Sequence, residues 1–393
     1  MTDVKEMTAE HIDEMLSLVA YAFQWELSEN NRKRFGMLAE NSWNFGSFDE
    51  ENRLASQVMA TPFKVDLFGD QHLMAGIGFV ASYPEYRSQG RIDRIMTELL
   101  AVSREKGVNL SYLAPFSYPF YRRYGYELTF ERAVYDVPAS QWPDSPKVSG
   151  RVERLSWRQA EPLIGELFAA AERHHRGGVV REEWWLSFKF LLRKNYTYAV
   201  YFDEQNIPQG YLVYLLEPGK LTIAEWTWLT GGAFRGLNRF VASHNGSVAK
   251  IIYDTGFDGQ TLQFLATTPM NSLTIRPEMM ARVVDVKRFL NDTKKIQKLS
   301  ESVAIRVTND PYAPWNEGIF ELRKAATGVE VRQVESTELP VIQLSIQRFT
   351  QLFMGYLSPR TLYFHGFLAT DERLLKVLEE IVPEQKPVLE DYF

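Results

Sequence analysis

Apolar and polar positions along the chain change period from stretch to stretch, and each period marks an element. Ile12, Met15, Leu16 and Val19 recur at helical spacing and predict an opening helix. The stretch 29–52 is polar and less regular. Strand-like runs at 57–59 and 64–68 predict two short strands, and Gly69-Asp70 predicts a turn into a longer strand at 73–80. Past Arg87-Ser88-Gln89-Gly90, the residues Ile92, Ile95, Met96, Leu99 and Leu100 share one face of an amphipathic helix, which Gly107 ends. A buried strand is expected at 108–113. Trp142-Pro143-Asp144-Ser145-Pro146 reads as a linker.

The plan then repeats in outline. A helix is expected near 159–172, followed by strands at 198–202, 211–216 and 221–228, the last ending in Gly231-Gly232-Ala233. From about residue 286 the character changes. Strands are expected at 303–307, 319–322 and 329–334, the last alternating as a half-buried antiparallel strand does. Helices follow near 346–353 and 371–381. The expected fold class is α/β with α+β character, in three domains spanning 1–146, 147–286 and 287–393. The 393-residue length agrees, since a domain takes roughly 100–200 residues.

Composition then removes several function classes. The chain has no cysteine, so disulfides, thiolate metal sites and a cysteine nucleophile are excluded. Its net charge of -6 gives no support to a nucleic-acid partner. No run reaches the ~18 apolar residues of a membrane span. The start, Met1-Thr2-Asp3-Val4-Lys5-Glu6, lacks the apolar centre of a signal peptide. No membrane partner and a cytoplasmic location are therefore expected.

Candidate chemistry concentrates in residues 73–126. There a strand leads into Arg87-Ser88-Gln89-Gly90-Arg91-Ile92 and then directly into a helix. A helix start offers unpaired N–H groups and the positive end of its dipole, both suited to a phosphate. Gly90 lets backbone approach a pyrophosphate closely, and Arg87 and Arg91 can add charge. Further on comes Phe120-Tyr121-Arg122-Arg123-Tyr124-Gly125-Tyr126. Gly76-Ile77-Gly78-Phe79-Val80-Ala81 matches a dinucleotide-binding pattern by spacing alone. Its glycines sit inside a strand with no helix following, so that reading is rejected.

This order resembles the GNAT acetyltransferase superfamily, whose pattern is strand, Arg/Gln-x-x-Gly-x-Gly/Ala, helix, strand, then Tyr-x-x-x-Gly-Phe/Tyr. Ile92 stands where a second Gly or Ala is usual. A second GNAT-like half without the motif, a third domain similar to sterol carrier proteins, the run Met280-Ala281-Arg282-Val283-Val284-Asp285-Val286 and an aromatic C-terminus resemble the Eis (enhanced intracellular survival) acetyltransferases. The resemblance implies acetyl-CoA as donor, an amine as acceptor, no metal and a homo-oligomer, hexameric in that family. It implies donor contacts at Val80, Ala81 and Ser82, at Ser88, Gln89, Gly90, Arg91, Ile92 and Asp93 with Arg87 beside them, and at Phe116 and Ser117. It also implies Tyr121 as general acid, with Tyr126 as rival, and the terminal carboxylate of Phe393 as general base. Polyamines, lysine side chains and aminoglycosides are the implied acceptors. Glu26, Glu390 and Asp391 are candidate carboxylates for a cationic substrate.

Two other classes compete. A tandem-GNAT aminoacyl transferase would use charged transfer RNA and want a basic surface. A non-catalytic carrier of hydrophobic ligands would rest on the third domain. Elsewhere the plainer readings prevail. His174 and His175, adjacent on one element, do not converge on a metal and read as a surface or oligomer contact. Trp184, Trp185, Trp226 and Trp228 read as core or interface. The run 231–236 reads as the remnant of a second phosphate loop.

Overall fold

The computed structural model describes residues 4–192 and 195–393, so the first three residues of the polar start lie outside the described residues. The chain forms two compact units. One comprises Met1–Thr129, Met279–Pro387 and Tyr392–Phe393, the other Phe130–Glu278 and Val388–Asp391.

The N-terminal part of the first unit runs β1 (Val4–Met7), α1 (Ile12–Phe23), α2 (Glu29–Glu40), β2 (Trp43–Phe48), β3 (Leu54–Leu67), β4 (Asp70–Ser82), α3 (Arg91–Glu105), β5 (Leu110–Leu113) and α4 (Tyr118–Arg122). The strands lie in the order β1-β2-β3-β4-β5. Neighbours are antiparallel except β4 and β5, which run parallel from Met74↔Leu110 to Ile77↔Leu113. A parallel pair needs a crossover, and α3 supplies it. Its Ile95, Met96, Leu99 and Leu100 are all buried, packed with Val58, Ala60, Ala75 and Ile77 of β3 and β4. Burying such a side chain stabilises the fold by about 1.5–3 kcal/mol.

The polar, less regular stretch 29–52 holds α2 and β2. α2 buries only Phe35, Leu38 and Ala39, too narrow a stripe to read by period, yet Ser28 caps it by accepting from the Asn31 N–H at 3.3 Å. The two short runs at 57–68 are one strand, β3. Pro62 within it lies beyond the last β2 partner, Trp43↔Ala60, where its missing N–H breaks no bond to β2.

The second unit is built from β6 (Glu127–Pro138), β7 (Arg151–Leu155), α5 (Trp157–Ala170), β8 (Arg176–Val179), α6 (Glu183–Leu186), β9 (Thr197–Phe202), β10 (Pro208–Glu217), β11 (Lys220–Trp228), α7 (Gly231–Ala242), β12 (Lys250–Phe257) and β13 (Ser272–Val283). The first residues of β6 and the last of β13 belong to the first unit. The sheet order is β6-β12-β11-β10-β9-β7, with one parallel pair, β11 and β12, joined by α7. The crossover β4-α3-β5 thus has a counterpart in β11-α7-β12. The expected linker at 142–146 is packed instead. Trp142 is buried and donates its indole N–H to Asn238 of α7 at 2.9 Å. Trp185 and Trp226 are core residues. His174 is buried too, against the surface reading. It stacks on Phe168 with ring centroids 3.8 Å apart, contacts the Thr227 hydroxyl at 3.0 Å, and is held well below its ordinary pKa by burial.

Inside this unit lies an ion network. Arg181 donates to both Glu225 oxygens at 2.7 and 2.6 Å and, through Nε, to Asp391 at 3.0 Å. Lys189 reaches Glu225 at 2.8 Å and Asp391 at 3.3 Å. Arg181, Glu225 and Asp391 are fully buried, and the two cations balance the two carboxylates. Removing one partner strands a charge in the interior. Glu225→Ala is expected to cost about 3–5 kcal/mol of stability. Chemical denaturation would show it, with fluorescence from Trp185, whose indole N–H binds Asp391 at 2.9 Å.

The last part of the first unit holds α8 (Val286–Asp292), β14 (Val303–Thr308), β15 (Gly318–Ala325), β16 (Gly328–Val334), β17 (Val341–Ser345), α9 (Ile346–Phe353), α10 (Pro359–Phe364) and α11 (Glu372–Ile381). Its sheet order is β16-β15-β14-β17. Arg282 of β13 joins this part to the helix that bears Tyr121. Arg282 is wholly buried, donates to Asp310 at 2.7 Å and also binds the Tyr124 carbonyl. Gly125, at φ +82°, makes room, for a Cβ there would lie 2.8 Å from the guanidinium.

Candidate active site

The end of β4, the mouth of α3 and the start of α4 enclose a cavity of about 860 Å³. Ser88 (φ +61°) and Gly90 (φ +67°) both adopt left-handed backbone in the connecting loop. That conformation costs a non-glycine residue roughly 1–2 kcal/mol, so Ser88 is held there by its surroundings. Gly90 is the N-cap of α3 and carries no side chain to satisfy the first N–H groups, which belong to Arg91, Ile92 and Asp93. At α7 the equivalent mouth is closed by its own cap, because the Thr230 hydroxyl accepts from Ala233 N–H at 3.1 Å. Gly236, in the run that reads from sequence as a phosphate-loop remnant, is needed for packing, since a Cβ there would lie 2.5 Å from Tyr201.

Of the anticipated donor contacts, Val80, Ala81, Ser82, Arg87, Ser88, Gly90, Arg91, Ile92, Asp93 and Phe116 line the cavity. Gln89 and Ser117 do not. Gln89 donates to Glu85 O at 3.0 Å, and Ser117 caps α4 by accepting from Phe120 N–H at 3.4 Å. Arg91 lines the cavity, but its guanidinium is turned inward to Ser47 Oγ and Phe48 O, each at 2.9 Å. It offers the mouth of the helix its backbone N–H rather than its charge. Arg87 is exposed at the rim. Asp93 is engaged by the Tyr124 hydroxyl and lies 3.6 Å from Arg123. Sequence reading missed Phe23, Tyr86, Phe120, Arg123 and Tyr124 as cavity residues. The signal available was the aromatic and basic run 120–124, read there only for Tyr121.

The phenols of that run divide by their partners. Tyr124 donates to Asp93, and Tyr126 is fully buried with its hydroxyl 2.7 Å from Ser111 Oγ. Burial pushes Tyr126 up to about 12. The Tyr121 hydroxyl makes no hydrogen bond among the described residues. Burial, with smaller contributions from Tyr126 and Tyr392, holds its pKa well above the usual phenol value, so it stays protonated. Its ring stands edge-on to Phe116 and Phe120, with centroids 5.3 and 5.1 Å away.

Phe393 lies on β4. Its ring packs on Phe63 at 5.2 Å, and a Cβ on Gly76 would fall 2.7 Å from it. A Cβ on Gly78 would lie 3.6 Å from its terminal carbonyl carbon. The two glycines rejected as a dinucleotide motif therefore clear a trough for the C-terminal residue. Just beyond, β4 bulges. Met59 pairs with Gly78 and Gln57 with Ala81, and Phe79 takes φ +49°. Phe79 and Val80 have no register partner on β3, and Val80 lines the cavity. Glu390 and Asp391 are not substrate carboxylates. Asp391 sits in the buried network, and Glu390 lies 3.2 Å from Arg173 and 3.4 Å from Arg132. Glu26 is exposed. Among the described residues no group of three or more His, Asp or Glu could hold a metal ion, and no helix is long and apolar enough to cross a membrane.

A parallel β-α-β crossover opening on an uncapped helix mouth, beside a bulged strand, is the architecture of an acyl-CoA-dependent acyltransferase. Residues 3–129 and 177–283 each match an acetyltransferase (GNAT) domain, and 286–390 match a sterol carrier protein domain. A conserved protein of unknown function from Enterococcus faecalis V583, described as a probable N-acyltransferase, is 40% identical over 100% of both chains, with a TM-score of 0.93. Eis1 from Mycobacterium abscessus shares the fold at 16% identity and a TM-score of 0.79 over 100% of both chains. An uncharacterized N-acetyltransferase from Streptomyces griseus is 30% identical over 119 residues, and the match spans 28% of the chain and 28% of that relative's length. The chain belongs to the GNAT acetyltransferase family and carries a sterol carrier protein domain after its two GNAT domains.

Proposed function

We propose that the chain transfers the acetyl group of acetyl-CoA directly to a primary amine, such as a polyamine, a lysine side chain or an aminoglycoside. The observation that carries this reading is the placement of Phe393, with its terminal carboxyl at Gly78 and the bulge of β4 next along the strand.

The N–H groups at the start of α3, with Arg87 at the rim, suit a pyrophosphate, and the cavity volume suits a large ligand. The thioester supplies an already activated acyl group, so no covalent enzyme nucleophile is needed. The rest falls to the chain's own residues. A terminal carboxyl has a reference pKa of about 3.3–3.7, so that of Phe393 is ionised at neutral pH and accepts the proton the amine must lose. Backbone N–H donors near Val80 stabilise negative charge developing on the carbonyl oxygen. Tyr121, kept protonated by burial, gives its proton to the departing sulfur. We also propose 1–146, 147–286 and 287–393 as domain limits, and a homo-oligomer as the working assembly.

Free CoA thiol released in the presence of spermidine, Nα-acetyl-lysine or an aminoglycoside tests the reading, together with calorimetric titration of acetyl-CoA. Saturable acetyl-CoA binding and amine-dependent thiol release are expected. A chain that ignores acetyl-CoA would be no enzyme of this type.

A further inference from the structure

A second cavity in the first unit, about 350 Å³ in volume, lies where the β3–β4 turn meets the segment after α8. It is lined by Lys294, Lys295 and Lys298, with Asp70 the one carboxylate among its lining residues. Lys294 reaches Asp70 at 3.1 Å, and Lys295 lies 3.6 Å from Glu384, whose side chain is almost wholly exposed. Lys298 makes no ion pair among the described residues. Other nearby carboxylates are already committed. Asp66 accepts from Gly69 N–H and Gln71 on its own turn, and Asp292 accepts from Asn109.

His72, also in the lining, is 2% exposed. Its Nδ1 lies 2.9 Å from Asn109 Nδ2, and the same Nδ2 donates to Asp292 at 2.7 Å. A carboxylate only accepts, so Asp292 fixes the amide orientation. The amide nitrogen only donates, so Nδ1 accepts and the ring proton sits on Nε2. That Nε2 is buried and has no hydrogen-bond partner among the described residues. A buried donor left unsatisfied opposes folding unless something binds it. Burial also favours the neutral ring, which keeps Nδ1 an acceptor for Asn109 while the single proton sits on Nε2. An unsatisfied buried donor together with an excess of lysines, around a space of ligand size, matches an acceptor-rich anion.

We propose that this cavity binds a small tetrahedral oxyanion, inorganic phosphate or a phosphate monoester, with His72 Nε2–H donating to one oxygen and Lys295 and Lys298 supplying charge. The cavity has room beyond a phosphate, and Phe353 and Leu67 offer an apolar wall for the body of an ester. The site is separate from the cavity at α3, with which it shares no lining residue.

The test uses the full chain at fixed ionic strength, titrated with inorganic phosphate and with phenyl phosphate. Saturable binding is expected, with a shift of the His72 Nε2–H resonance in ¹⁵N-edited NMR. Tighter binding of phenyl phosphate marks an ester site, and equal binding marks a site for the free ion. The double variant K295A/K298A should weaken binding about tenfold or more, with the unfolding midpoint and acetyl-CoA affinity unchanged. Absence of saturable binding would overturn the proposal. So would equal affinity in the double variant, or displacement of the anion by saturating CoA.

Discussion

Tyr121→Phe is expected to lower kcat by roughly 10²–10⁴-fold, the usual cost of losing a proton-transfer group. Acetyl-CoA affinity should stay close to that of the parent chain. The reason lies in what the residue touches. Its ring packs edge-on to Phe116 and Phe120, contacts that phenylalanine retains. Among the described residues its hydroxyl makes no hydrogen bond, so its removal should leave the fold intact. Tyr124→Phe is the informative contrast, because it releases Asp93 at the mouth of α3. That change should act on the KM for acetyl-CoA more than on kcat. Stopped-flow thiol release with calorimetric donor binding separates the two. Full turnover in Tyr121→Phe would remove that residue from the chemistry.

Two glycines appended after Phe393 are expected to lower kcat by about 10² or more. The carboxylate then becomes a peptide carbonyl, which cannot take a proton at neutral pH. The ring can still sit in the trough over Gly76, so donor binding should survive. A semisynthetic chain ending in Phe393 amide sharpens the experiment, since it keeps every atom but the ionised oxygen. If the amide turns over as fast as the acid, the base lies elsewhere.

Much of this was legible before any coordinates. The helix α3 announced itself because Ile95, Met96, Leu99 and Leu100 bury one clean face. The loop before it was readable from glycine chemistry, for Gly90 does take the left-handed backbone that its place demands. What stayed hidden depends on partners distant in sequence. Arg91 reads as a phosphate ligand, yet its guanidinium is held by Ser47 and the Phe48 carbonyl. His174 lies in a polar, arginine-rich run, and its burial depends on Phe168 and on Thr227 from β11. Glu390 and Asp391 look like solvated acids in a proline-spaced tail, and nothing local announces Arg173 or Arg181. Gly76 and Gly78 stand out in the sequence, but their purpose depends on Phe393, more than three hundred positions away.

Arg282 carries a lesson for anyone building chimeras. Its guanidinium is wholly enclosed and takes its negative partner from Asp310, while it also holds the backbone at Tyr124. A foreign sterol-carrier module grafted in place of the native one must bring an acid to that same spot, or the cation is left without its counterion in a dry interior. The arm bearing Tyr121 would loosen along with it. Recombination between such proteins should therefore keep Arg282, Asp310 and the segment around Tyr124 as a matched set.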